Sequence, residues 1–432
     1  MFELTTVLSL QGAQVAPSDG RRTWARFLEE GPASMRSQRA LNNCVARGRL
    51  HPVEYEGLVR ERSLRQKGCC RMPVSRDDLF EWRKVAVSLT SLCNLRCKMC
   101  PLLRTERASL SREQAFHVAD FAQRRGFSQM IITGGEPTIM PYFCELMEQV
   151  GQTDMEVQLL TNACRMPDEH IQCLTRCRKL IVNVSIDGLG EVHDAIRGEG
   201  TFAATIKSVD RLLSAAIQVA VNTTVQRSNF RTVVETYEFL AKYPLAWHGF
   251  SFAEPFHGLE LVPLENVDEA LSNLQEVCRR NEARKGHAGL PREMITCFRL
   301  WLRYPGFNTH PGRNCPIPRR QLGVEHTGLV VPCFHYVDWN RGPERNINHH
   351  SLDEIVDSSG YREMVCRAIG INGCPGCSTL CYFLDDDYRQ KTLHPRGRLR
   401  FQRAALLGKE YIRRHHPELA STIHRVRKRT GL

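Results

Sequence analysis

The sequence contains no stretch of about 18 uncharged apolar residues, the length at which a membrane-spanning helix is expected. Its first twenty residues lack a positive region, Glu3 interrupts the start, and only a short apolar run follows, so no secretory signal is expected. No internal repeat or low-complexity tract is present. With 42% hydrophobic and 25% charged residues, the chain is neither disordered nor collagen-like. Its 18 cysteines in 432 residues are too dilute for a small disulfide scaffold, whose short chains run above about 8–10% Cys. They are many for an intracellular protein. Without a secretory signal they are expected in a reducing compartment, the cytoplasm, where clustered cysteines point to metal or catalysis.

The net charge of +12 lies at the ends. Residues 1–83 carry 14 Lys/Arg against 10 Asp/Glu, residues 396–432 carry 11 against 2, and residues 84–395 carry 34 against 35. Such a tail is a solvated face before it is a nucleic-acid site.

Five segments follow from the patterning. Residues 1–83 read as a helical, polar extension. From Lys84 a rhythm begins: VAVSL (85–89), QMIIT (129–133), EVQLLT (156–161), LIVNVSI (180–186), VAVNTTV (219–225) and GFSF (249–252) fit buried parallel strands. Helical patterns at 111–126, 141–151, 167–177, 201–216 and 231–242 separate them. Six alternations over 84–260 predict an α/β fold, a partial (βα)6 TIM-like barrel short of the eight units of a full one. Residues 261–296 contain one linker helix over 264–286. Residues 297–395 become rich in Cys, Pro and Gly and predict a small loop-rich domain. Residues 396–432 form a basic helical tail.

After the first strand stands CNLRCKMC, with Cys93, Cys97 and Cys100. Structural zinc takes four protein ligands. Three thiolates on a four-iron cluster leave one iron open for a substrate or cofactor. The position also matters, because βα-barrels place their chemistry at the C-terminal ends of strands. The alternative is a zinc knuckle completed by a distant Cys or His.

Further motifs fall at successive strand ends: Gly134-Gly135-Glu136-Pro137, Thr161-Asn162, Ser185-Ile186-Asp187-Gly188 and Asn222-Thr223-Thr224. His193-Asp194-x-x-Arg197-Gly198 follows the fourth strand. The ordered series resembles the radical S-adenosylmethionine (SAM) enzymes, whose Cys-x3-Cys-x2-Cys loop follows the first strand of a partial barrel. The resemblance implies that Cys93, Cys97 and Cys100 hold a [4Fe–4S] cluster. It also implies that SAM is bound by Gly134, Gly135, Glu136, Pro137, Asn162, Ser185, Asp187, Asn222 and Thr224. Two glycines suit a close approach of backbone to ligand. Met99 stands where the family places an aromatic residue near the adenine, and a methionine can still pack against a ring. Arg197, and Glu254 and His257 just after the sixth strand, are candidate substrate contacts.

A second cluster contains Cys315, Gly328 and Cys333 in a Cys-x12-Gly-x4-Cys pattern, then CPGCSTLC with Cys374, Cys377 and Cys381. This resembles the SPASM and Twitch modules appended to radical SAM barrels. It departs from a full SPASM module in having no cysteine after Cys381. The resemblance then implies one auxiliary [4Fe–4S] cluster, with two as the alternative, on Cys315, Cys333, Cys374 and Cys377, or with Cys381 in place of one of these. A zinc ribbon is the competing reading. Cys366 lies in the same region, and most of the remaining cysteines read as small buried hydrophobes.

The implied chemistry is reductive cleavage of SAM to a 5′-deoxyadenosyl radical, which abstracts a substrate hydrogen. An auxiliary cluster favours net oxidation or cross-linking. Formylglycine-forming relatives carry an Asp after the cysteine at the Cys333 position; here Phe334 and His335 follow, which argues against that reaction. His335 has a suitable pKa for a catalytic base. The expected partners are a peptide or small-molecule substrate and an electron donor such as flavodoxin or ferredoxin. Nucleic acid is not expected, although an RNA-modifying enzyme using the basic tail and a non-enzymatic zinc protein are the alternative readings.

Overall fold

The computed structural model describes residues 79–253, 260–284, 295, 298–299, 302, 315–334 and 342–369. All lie in one compact unit, Gly68–Leu432. Almost all of the N-terminal extension, the basic tail, and the expected site residues Glu254, His257, His335, Cys374, Cys377 and Cys381 lie outside the described residues.

The expected alternation is present. Strand β1 (Lys84–Ser88) is followed by α1 (Arg112–Arg124), β2 (Gln129–Thr133), α2 (Phe143–Gly151), β3 (Glu156–Thr161), α3 (Asp168–Thr175) and β4 (Leu180–Ser185). Then come α4 (Glu191–Arg197), α5 (Thr201–Ser214), β5 (Gln218–Val225), α6 (Val233–Leu240) and β6 (His248–Phe252). The linker helix is α7 (Val267–Ala283). The short α4 was not legible as a helix, because its seven residues span barely two turns.

All strands from β1 to β6 pair in parallel in the order β6-β5-β4-β3-β2-β1. The buried residues of these runs share one core cluster with residues of the flanking helices. Val85, Val87, Ile132, Val157, Leu159, Val182, Val184, Val219 and Val221 are all fully buried. The start of α1 shows how local sequence sets a boundary. Ser111 accepts from the Gln114 N–H, and the Gln114 side chain accepts from the Ser111 N–H, a reciprocal cap.

The Cys-rich region is not a wholly separate domain. After the short helix α8 (Ile317–Arg320), strand β7 (Gln321–Val324) pairs in parallel with β1, Lys84 opposite Gln321 and Val87 opposite Val324. Strand β8 (Val330–Val331) closes an antiparallel hairpin onto β7. The β1 edge of the open barrel sheet, which would otherwise expose unpaired backbone groups, is thereby covered. Helices α9 (Leu352–Asp357) and α10 (Ser359–Ile369) follow. Asp353 on α9 accepts from Arg124 at the end of α1 and from Arg125 just after it, which ties this region to the barrel's outer layer.

Candidate functional site

The three cysteines of the first cluster occupy the loop leaving the C-terminal end of β1. The loop is held from three sides. From β2, the Gly135 N–H donates to the Thr90 carbonyl at 2.6 Å and the Glu136 N–H to the Leu92 carbonyl at 2.8 Å. From the β3 end, Asn162 Nδ2 donates to Asn94 Oδ1 at 2.9 Å and lies 3.7 Å from Cys93 Sγ. From α4, the Ile196 carbonyl accepts the Lys98 N–H at 3.2 Å, and Arg197 Nη1 lies 3.8 Å from Cys97 Sγ. Burial pushes the Cys97 thiol up to about 11, against the pull of Arg197, and it raises Cys93 as well. Thiols so placed become thiolates at neutral pH only when a metal takes the proton's place.

The two glycines serve the protein's own packing. A Cβ at Gly135 would sit 2.1 Å from the Leu92 carbonyl oxygen, and one at Gly134 would sit 2.6 Å from that of Thr90. Gly134 also has φ +143°, which disfavours any side chain. The close approach is thus to the stem of the cysteine loop. Pro137 opens a short 3-10 turn, Pro137–Ile139, that carries the chain away.

Two carboxylates expected at the cofactor are engaged by protein donors. Glu136 is 1% exposed. It accepts from the Thr138 N–H and hydroxyl, the Thr161 hydroxyl and the Asn162 N–H, and so staples the ends of β2 and β3. Desolvation raises its pKa against those donors. Asp187 is fully buried. Its Oδ2 accepts from Arg197 Nε at 2.7 Å and its Oδ1 from the Thr224 N–H at 2.8 Å. Ser185 and Asn222 face each other across β4 and β5, and Asn222 Nδ2 donates to the Ser251 hydroxyl. Met99, in the cysteine loop, is half-buried.

The His193–Gly198 stretch turns out to be architectural. His193 Nδ1 accepts the Asp187 N–H, and burial lowers the His193 pKa to about 4, so the ring is neutral. Asp194 caps α5 by accepting the Gly200 and Phe202 N–H groups. Gly198 and Gly200 take positive φ in the turn between the helices. Sequence reading missed that this stretch delivers Arg197 to Cys97. Its spacing was visible, but the partner lies a hundred residues away.

In the second cysteine region, Gly328 has φ +84° in the β7–β8 turn, and a Cβ there would meet Asn346 Oδ1 at 2.6 Å. That explains its place between Cys315 and Cys333. Both of these cysteines are half-buried and pack against a core cluster that includes Phe252, Phe298 and Ile317. Cys366 packs instead against the main barrel core.

Among the described residues, no three His, Cys, Asp or Glu side chains are grouped to hold a single metal ion. One zinc would need sulfurs about 3.8 Å apart at its usual bond length. A four-iron cluster binds each thiolate at a different iron and makes no such demand. Three thiols on one loop, two of them beside N–H donors, fit that group.

A family model for the Radical SAM superfamily matches residues 87–240. The chain belongs to this superfamily. A second model, SPASM, an iron–sulfur cluster-binding domain, matches residues 315–391. This radical SAM chain is 36% identical over 278 residues to the antilisterial bacteriocin subtilosin biosynthesis protein AlbA of Bacillus subtilis (strain 168), covering 62% of this chain and 58% of that protein. It is 30% identical over 193 residues to the AdoMet-dependent heme synthase of Methanosarcina barkeri, covering 44% and 53%. The chain thus matches only about half the length of these curated relatives. The crystal structure of Streptococcus suis SuiB bound to S-adenosylmethionine superposes with a TM-score of 0.55 at 14% identity, covering 70% of this chain and 75% of that one, a likeness of fold. The two domains imply SAM and [4Fe–4S] clusters as cofactors. Among the described residues, no helix is long and apolar enough to cross a membrane.

Proposed function

We propose that this radical SAM enzyme is a cytoplasmic oxidoreductase that removes hydrogen from a peptide and leaves it oxidised or cross-linked. The observation that carries this reading is the pinning of Cys93, Cys97 and Cys100 at the C-terminal end of β1, with N–H donors aimed at two of their sulfurs. Cys93, Cys97 and Cys100 would hold the cluster, which would supply the one-electron reduction of SAM that makes hydrogen abstraction from the substrate possible. The chain's own residues do the rest. Asn162 and α4 hold the loop, and the Gly134–Gly135 segment locks its stem.

A SPASM domain C-terminal to the barrel supports an auxiliary cluster on Cys315 and Cys333 with ligands from CPGCSTLC, and that in turn supports net oxidation. AlbA, named for bacteriocin biosynthesis, supports a peptide substrate. The heme synthase supports a small-molecule substrate, which the experiment must separate. His335, Glu254 and His257 remain proposed substrate-side residues. An acidic one-electron carrier such as flavodoxin or ferredoxin is the proposed donor.

Anaerobically purified protein given dithionite and SAM should yield 5′-deoxyadenosine, and Cys97→Ala should abolish it. Continued cleavage by a Cys93/Cys97/Cys100 triple Ala variant would end the proposal. A short peptide encoded beside the gene should lose the mass of two hydrogens per oxidation. Turnover only with a tetrapyrrole or another small metabolite would replace the peptide with that class.

A further inference from the structure

We infer that Arg197 sets the electron affinity of the cluster carried by Cys93, Cys97 and Cys100, acting as a positioning and tuning residue and not as a substrate contact. The inference rests on the radical SAM reading above.

The geometry leaves Arg197 little freedom for any other task. Its side chain is 10% exposed and pairs with Asp187, which is fully buried. Its Nε is committed to Asp187 Oδ2 at 2.7 Å, while Nη1 reaches to 3.8 Å from Cys97 Sγ. The carboxylate is itself immobilised. The Thr224 N–H fixes Oδ1, the Asp187 N–H goes to His193 Nδ1, and Asn229 Nδ2 donates to the Asp187 carbonyl at 2.7 Å. The backbone of the same helix turn holds the loop through Ile196 and Lys98. Sulfur and guanidinium are therefore located by one rigid element.

The electrostatic consequence follows from the order of charges. Arg197 Nη1 lies 3.8 Å from the sulfur, Nε holds the carboxylate, and Arg197 acts on Cys97 more strongly than Asp187 does. The nearer charge dominates, in surroundings where Coulomb interactions are stronger than in water. Reduction adds one negative charge to the cluster. A cation beside one ligand stabilises the reduced form more than the oxidised one and raises the potential. Charge and hydrogen bonding at the sulfurs are the protein's levers on such a potential. Asn162 reaches Cys93 from the other flank, but as a neutral donor.

The test is an EPR-monitored redox titration of the full-length, anaerobically reconstituted protein without SAM or substrate. A Cys315→Ala/Cys333→Ala background removes the auxiliary signal. Arg197→Gln should lower the potential until the reduced-to-oxidised ratio at a fixed potential falls about tenfold, about 59 mV for one electron. Arg197→Lys, which keeps the charge, should recover most of that. If Arg197→Gln holds too little iron to titrate, because Asp187 is left buried and unpaired, Asp187→Asn/Arg197→Gln removes both charges. That variant should still titrate below the parent. A parent-like potential in the titratable variant overturns the inference, even if SAM affinity or turnover is lost. Failure of the parent to bind iron or to cleave SAM would instead sink the radical SAM reading.

Discussion

Gly135→Ala is the substitution in which the packing argument is most exposed to refutation. The new methyl would lie 2.1 Å from the Leu92 carbonyl oxygen and 2.6 Å from its carbon. Both are backbone atoms, so no side chain can swing aside. The β1 stem must move, and with it the bonds from the Gly135 N–H to Thr90 and from the Glu136 N–H to Leu92. Two weakened hydrogen bonds cost about 1 kcal/mol each. Overpacking adds about 1–3 kcal/mol. A total near 3–5 kcal/mol is a large part of the about 5–15 kcal/mol that holds a typical domain together. The assay is thermal or urea unfolding of the metal-free protein, followed by iron content after reconstitution. Stability should fall and iron should fall with it, because Cys93 directly follows the displaced Leu92. If glycine is needed here only to admit the ligand, the metal-free variant will unfold like the parent and lose SAM affinity alone. That outcome would refute the steric account.

Other consequences are open to the same instruments. Glu136→Gln puts an amide NH2 among four donors, so at least one buried N–H or O–H loses its acceptor, at about 1–3 kcal/mol; unchanged unfolding would show that the carboxylate is not the staple described. His248 is buried against Thr223, with its pKa lowered to about 3. The unfolded chain therefore takes up this proton first, and stability present above pH 6.5 is lost as pH falls toward 3. His248→Gln should flatten the pH dependence of the unfolding midpoint between pH 6.5 and 4, and an unaltered slope would count against it. Gly360 in α10 has open space around its missing side chain, so Gly360→Ala should stabilise by roughly 0.5–1 kcal/mol, read as a higher denaturant midpoint; a lower one would mean that this helix start is strained.

The barrel was legible because its strands are short, largely buried apolar runs. VAVSL, QMIIT and LIVNVSI are short β-branched runs between helical periods, and buried parallel strands need no more than that. Strand β7 was not legible. QLGV is four residues inside a stretch rich in Pro, Gly and Cys, too short for any period to show. What selects it is the bare edge of β1, a tertiary demand that no local pattern expresses.

The site divides along the same line. The cysteine loop and the strand-end motifs were found because their spacing is local. What each residue touches was not, because burial and partners are long-range properties. A glycine pair reads equally as room for a ligand or room for a neighbouring strand. Only the 2.1 Å approach to Leu92 shows the neighbour. The resemblance implies that Glu136 and Asp187 contact the cofactor. In the structure they are interior joints that lock β2 to β3 and β4 to β5, and a buried carboxylate fits such a place only when donors surround it. Through Arg197, the joint at Asp187 continues to Cys97. The framework that fixes the barrel mouth therefore also fixes the charge beside Cys97, and on the proposed reading a change made for stability at Asp187 is expected to register in the electron chemistry.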